Sequence, residues 1–150
     1  MAKGLSQFGQ SLCKVKTLFF DRPAVVKAVD SATRKVLNRI GGMIRLTARR
    51  SIKKAPNRKA VSKAGKPPLS HTGLLRNHIY YSFDPQARSV VVGPVALRAK
   101  GKNVPRILEY SGNTRIKGKN VHIAARPYMG PALAVNKSRM AAVWKNSVHK

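Results

Sequence analysis

The sequence predicts an α+β fold: a long N-terminal amphipathic helix packed on a small antiparallel β-sheet, with a C-terminal helix. Three observations predict it. Apolar residues between 23 and 55 recur at steps of three and four, the period of one helix face. Residues 78–83 and 89–93 are rich in aromatic and β-branched side chains and flank a turn. A second helical stretch runs near residues 131–147, with Leu133, Val135, Met140, Val143, Trp144 and Val148 as its apolar positions.

The first helix is the element around which the rest is arranged. Val25, Val26, Val29, Thr33, Val36, Leu37, Ile40, Met43, Ile44, Thr47, Ala48, Ser51 and Ile52 form its stripe, and most of its Lys and Arg residues fall elsewhere on the wheel. Asp21 is placed to cap it, Pro23 suits the first turn, where no N–H is needed, and Pro56 stops it. At about 1.5 Å per residue this is a rod of roughly 50 Å. A rod of that length needs cover from the second half of the chain or from partner subunits. Gly41-Gly42 is its weak point, costing about 1 kcal/mol per glycine and inviting a kink.

With 150 residues and 43% hydrophobic content, the chain can bury a core as one domain, residues 21–150 behind an N-terminal arm of residues 1–20. Phe8, Leu12, Val15, Leu18, Phe19 and Phe20 suit an arm anchored on a neighbour, or a loosely ordered terminus. The charge is the anomaly: 31 Lys and Arg face 4 Asp and Glu, a formal net charge of +27. Between Asp30 and Asp84 there is no acid, and none follows Glu109. Such a chain seeks a polyanion or an acidic protein surface. One cysteine, Cys13, excludes an internal disulfide and suits a reducing cytoplasm. No apolar run reaches the roughly 18 residues of a membrane span, and the N-terminus lacks the pattern of a signal peptide.

Between the helix and the first strand lies a mobile basic loop, residues 56–70, with Arg58, Lys59, Lys63 and Lys66 and no acid. Together with Arg45, Arg49, Arg50, Lys53 and Lys54 it reads as a phosphate-contacting or acidic-partner surface, or as a solvated linker. Thr72 is placed to cap a short helical turn before the hairpin. Residues 96–103 and 111–120 read as basic loops around a short helix or turn at 104–110, in which Ile107, Leu108 and Tyr110 face the core. Residues 121–124 are strand-like and suited to joining the hairpin.

Catalytic chemistry finds little support. The acids Asp21, Asp30, Asp84 and Glu109 are scattered, and the histidines His71, His78, His122 and His149 lack ligand spacing. Cys13 has no nearby histidine, and Gly41-Gly42 matches no phosphate-loop pattern. The chain reads as a non-enzyme without a cofactor or metal. Glu109, alone amid positive charge, reads as an ion pair to Arg76 or Arg126 or as a surface charge.

Four segments in order carry a resemblance. They are residues 71–79 (His-Thr-Gly-Leu-Leu-Arg-Asn-His-Ile), 90–94 (Val-Val-Val-Gly-Pro), 108–112 (Leu-Glu-Tyr-Ser-Gly) and 125–133 (Ala-Arg-Pro-Tyr-Met-Gly-Pro-Ala-Leu). Over roughly residues 23–148 the chain resembles the neck or tail-completion proteins of long-tailed bacteriophages, a family that includes minor tail proteins. The resemblance implies a small α+β subunit that assembles as a ring, hexameric or dodecameric, where tail joins head around the DNA path. It implies a virion protein made in the host cytoplasm, with neck and tail-terminator proteins as neighbours and no membrane. The charge, the loop at 56–70 and the arm depart from the pattern. A head-to-tail ring needs two different patches on each subunit. The long helix suits one, and Glu109, Tyr110, Arg126, Pro127, Tyr128, Met129 and Pro131 the other, since Arg and aromatic residues on a stiff segment are enriched at interface hot spots. A stand-alone, sequence-nonspecific nucleic-acid-binding protein is the alternative that the composition allows.

Overall fold

Helix α1 spans Arg22–Ser51, thirty residues and about 45 Å of rod. A computed structural model of the chain describes residues 22–99, 102–116, 118–145 and 147. The N-terminal arm, Cys13, the Asp21 cap, Val148 and His149 lie outside the described residues. The α+β architecture is the expected one. A hairpin of β1 (Ile79–Asp84) and β2 (Ser89–Pro94) packs on α1, and the C-terminal helix α4 (Met129–Lys145) packs along it as well.

The stripe on α1 does the packing, but only over its C-terminal part. Val36, Ile40, Ile44, Ala48 and Ile52 are buried with Ile79 of β1 and with Tyr128 and Ala132. Leu75, Val90, Val92, Leu108, Met129, Met140 and Val143 are half-buried around them. Upstream, every residue from 22 to 31 is exposed, including Val25, Val26 and Val29 at 41%, 53% and 56%. The helix stops at Ser51, short of Pro56. Ser51 Oγ donates to the Ala48 carbonyl at 2.8 Å. The chain then turns extended: Ser70 N donates to the Lys53 carbonyl and Ala55 N to the Ser70 carbonyl. Proline restricts the residue before it to extended backbone, so Ala55 was never available to the helix.

Gly41-Gly42 does not break the rod. A Cβ at Gly41 would lie 2.7 Å from Tyr81 Cδ2 and from Val90 Cγ2. The glycine is there because the hairpin comes too close for a side chain. The hairpin register runs from Ile79 opposite Pro94 to Asp84 opposite Ser89. Its turn is held by Asp84 Oδ1, which accepts from Gln86 N and Ala87 N, with Arg88 in left-handed conformation at φ 45°.

The short helix α2 (Leu74–Asn77) is preceded by Gly73 at φ 79°, so Gly73 rather than Thr72 occupies the cap position. Thr72 Oγ1 accepts from Leu74 N at 3.4 Å, a local turn contact, and Ser70 Oγ accepts from Gly73 N. Both expected loops contain strands: β3 (Arg98–Ala99) pairs with β4 (Lys102–Asn103), and β5 (Gly112–Ile116) with β6 (Lys119–Ile123). Residues 121–123 therefore pair with β5 and not with the β1–β2 hairpin. Between these two pairs sits α3 (Val104–Tyr110), capped by Asn103 Oδ1 on Arg106 N with Pro105 in its first turn. Ile107 and Leu108 are half-buried, but Tyr110 points outward and is 75% exposed.

Of the expected apolar positions of α4, Met140 and Val143 pack on the core, and its buried face is completed by residues outside that set. Ala132 and Asn136 are buried, whereas Leu133, Val135 and Trp144 are exposed. Asn136 Nδ2 donates to Thr47 Oγ1 of α1 at 2.9 Å and to the Ala132 carbonyl at 2.8 Å. A satisfied amide can sit at the helix contact, where an unpaired one would be costly.

Candidate functional site

The basic surface is built from the end of α1 and the loop at 56–70. Arg50, Lys53, Lys54, Arg58, Lys59, Lys63 and Lys66 are exposed, and Arg49 is half-exposed. Arg45 does not belong with them. Its Nε donates to the Ile79 carbonyl at 2.7 Å, and its guanidinium lies 5.9 Å from the centre of the Tyr80 ring. It ties α1 to β1.

The loop is pinned instead of free. Besides the two backbone bonds at Ser70, Gly65 N donates to the Ala125 carbonyl and Arg126 Nε to the Ser62 carbonyl. Pro68 is buried. The lysines and arginines of the loop thus project from a fixed frame. Among the described residues one ion pair forms, Arg88 to Asp30 at 3.4 Å, beside the hairpin turn. No described acid forms an ion pair with the loop cations.

Glu109 forms no ion pair with Arg76 or Arg126. Its Oε2 accepts from Tyr128 N at 3.0 Å and Met129 N at 3.1 Å, and its Oε1 from Gly130 N at 2.8 Å. These N–H groups open α4, which has no acid of its own in its first turn. A carboxylate there satisfies otherwise orphaned donors and meets the positive end of the helix dipole. Arg126 reaches carbonyls instead, those of Ser62 and Ala124.

This rearranges the expected interface set. Tyr128 is 1% exposed and belongs to the core of its own chain; burial first, and then the Glu109 charge, hold its phenol far above the usual tyrosine range. Arg126, Pro127 and Met129 are half-buried. Tyr110 and Pro131 are exposed, so only these two of the set stand fully clear.

Next to the pinned loop an apolar cleft of about 380 Å³ opens between the loop, α2 and α3. Val61, Leu69, Leu74, Leu97, Val104 and Leu108 line it. Ser62 Oγ, also in its wall, is buried and makes no hydrogen bond. Sequence reasoning missed this cleft, since its lining is gathered from four separate segments. It also missed Asn136, although an asparagine within an apolar stretch was a usable signal.

No group of three or more His, Cys, Asp or Glu among the described residues is placed to hold a metal ion. No helix among them is long and apolar enough to cross a membrane. No protein-family model, curated protein or solved structure matches this chain.

Proposed function

We propose that this chain is a non-enzymatic structural protein of the phage head–tail junction, forming a homo-oligomeric ring around the DNA path. The observation that carries the reading is how the four resembling segments close on one another. Ile79, at the end of the first, pairs with Pro94 at the end of the second. Glu109 of the third holds the backbone of Tyr128, Met129 and Gly130 in the fourth. An ordered set whose members contact each other is one structural unit rather than four coincidences. The uncovered first turns of α1 and the excess charge favour a subunit completed by copies and by anionic surroundings.

The ring makes two uses of its basic surface: contact with DNA phosphates in its lumen, or docking on an acidic neighbouring ring of the neck or tail terminator. Microscopy of purified virions with labelled antibody tests the placement. Label at the head–tail junction is expected, and virions lacking the chain there refute it. Retention on DNA that is steep in salt and indifferent to sequence is expected for phosphate contact. Co-purification with cellular RNA and no virion would instead favour the stand-alone nucleic-acid-binding reading, for which the exposed basic loop is the specific support.

A further inference from the structure

We infer that the polar pocket between Lys54 and the segment 70–77 seats one phosphate group of a nucleic-acid backbone. This site extends the reading of the basic surface as a phosphate contact, on which it rests, to residues outside the loop. The pocket has a volume of about 230 Å³. Lys54 comes to it from the extended segment after α1, and His71, Thr72, Arg76 and Asn77 from the segment that follows the loop. The first of the four resembling segments, residues 71–79, thus supplies most of the lining. Packing does not account for these polar side chains, since all four are exposed.

The lining is rich in donors whose neighbouring acceptors are spent. The side chains of Lys54, His71, Arg76 and Asn77 make no hydrogen bond or ion pair with the described residues. Beside them, the Ser70 carbonyl accepts from Ala55 N, the Gly73 carbonyl from Asn77 N and Ser70 Oγ from Gly73 N. Thr72 Oγ1 accepts from Leu74 N, which leaves its own hydrogen to be donated outward. None of the described lining residues is acidic, and Glu109, the carboxylate expected near Arg76, is held at the start of α4. Arg76 presents a planar fork that grips two oxygens of one anion, and Lys54 a compact charge. A phosphate, with its oxygens set tetrahedrally, accepts from both segments at once.

The frame that holds these donors is fixed by the backbone. Lys54 and Ser70 are bridge partners, so the two segments run side by side. Gly73, at φ 79°, turns the chain into α2, which Asn77 N and His78 N close on the carbonyls of Gly73 and Leu74. Donors placed in advance spare the ordering cost of binding. Lys54 also continues into the basic surface through Lys53 and Arg50, both exposed, and Ser70 ends the loop that carries Arg58 to Lys66. A backbone with one phosphate in the pocket brings its next phosphates into the field of those cations. That continuity favours nucleic acid as the source, because a chain of phosphates meets the pocket and the array together, and a free phosphate the pocket alone.

The test compares two charge-conserving variants of the full chain, Arg76→Lys and Asn77→Ala, with the parent on immobilised duplex DNA over a salt series. Both positions are exposed, so folding is retained, and circular dichroism checks it. Neither variant changes the net charge, so a diffuse cationic surface predicts unchanged retention. A seated phosphate predicts about a tenfold loss of affinity in each, from lost charge-assisted hydrogen bonds, with a salt slope near that of the parent. Retention equal to the parent in both variants overturns the inference, as does a parent that DNA does not retain. Inorganic phosphate, followed by amide NMR, and immobilised polyglutamate separate the other occupants. Variants that lose the phosphate-induced shifts at residues 70–77 yet hold DNA like the parent overturn the nucleic-acid assignment in favour of a free phosphate. Variants that lose polyglutamate as strongly as DNA overturn it in favour of an acidic protein. A third variant, Lys59→Ala with Lys63→Ala, keeps the two readings apart. If it alone weakens DNA retention, the basic loop stands and this pocket does not; if only the pocket variants do, the reverse holds.

Discussion

The two adjacent glycines of α1 respond to the same substitution with opposite signs. Gly→Ala inside a helix gains about 1 kcal/mol from propensity and from a less flexible unfolded chain. At Gly42 little opposes that gain, because the nearest atom to a new Cβ is Tyr81 Cε1 at 4.0 Å. At Gly41 the Cβ would meet Tyr81 Cδ2 and Val90 Cγ2 at 2.7 Å and Tyr81 Cγ at 3.1 Å. Overpacking of this kind costs about 1–3 kcal/mol. Tyr81 is 39% exposed and can swing outward, but Val90 is held in its strand against the core, so the clash persists. Gly42→Ala should therefore stabilise by about 1 kcal/mol, and Gly41→Ala should lose that gain and destabilise by up to about 2 kcal/mol. For a domain of this size each kcal/mol moves the midpoint by about 3 °C. Thermal and urea unfolding of the two single variants measure the difference. Equal stabilisation by both would refute the close approach of hairpin and helix, and with it the reason given for Gly41.

Four further outcomes follow from the side-chain geometry. Glu109→Ala should lower stability by about 2–3 kcal/mol in urea unfolding, because three N–H groups at the start of α4 are left without a charged acceptor, and Glu109→Gln about half as much. Arg45→Ala should cost about 1–2 kcal/mol by leaving the Ile79 carbonyl without its donor, while the salt slope of DNA retention stays near that of the parent. Lys53→Ala with Lys54→Ala should do the reverse, changing stability by no more than about 0.5 kcal/mol per site while lowering the salt slope by about one for each phosphate that is no longer neutralised. Burial raises the Tyr128 phenol above the unfolded value of 10.0, so the unfolded chain ionises first. The stability contributed by the buried neutral phenol is intact below that pH and falls above it by about 1.4 kcal/mol per unit. Tyr128→Phe should flatten that part of the pH–stability curve, and an unchanged slope would contradict the burial.

The sequence made the helical rod and the first hairpin legible because their patterns are regular over many residues. It did not show where the rod is covered. Val25 and Ile40 share a stripe in the periodicity, yet only Ile40 has the hairpin and α4 beside it. Residues 121–123 of β6 read as strand-like, but β5 and its pairing with β6 stayed hidden because both strands face water at most positions. Gly-Asn-Thr-Arg-Ile shows no apolar alternation, and Lys-Asn-Val-His-Ile shows it only at Val121 and Ile123. Their register is marked by one polar pair, His122 Nδ1 against Asn113 Oδ1 at 2.8 Å. Glu109 was visible as the lone acid in a basic half, but a charge-only argument sends it to an arginine. The open N–H groups of α4 are partners that no residue name announces.

That assignment decides what the excess charge means. Asp30 is paired with Arg88, Asp84 closes the hairpin turn and Glu109 closes the start of α4. Each described acid is engaged by local structure, and none is paired with the loop from Arg58 to Lys66. Meanwhile the loop is fastened at Ser62, Gly65 and Ser70, so its cations are held apart on a frame instead of dispersing on a flexible chain. Binding a polyanion then requires little ordering of the backbone, and the repulsion already stored among those cations is relieved on contact. A fixed, uncompensated array of this kind costs the isolated subunit stability. On the proposed reading, counter-charge from outside the chain offsets that cost.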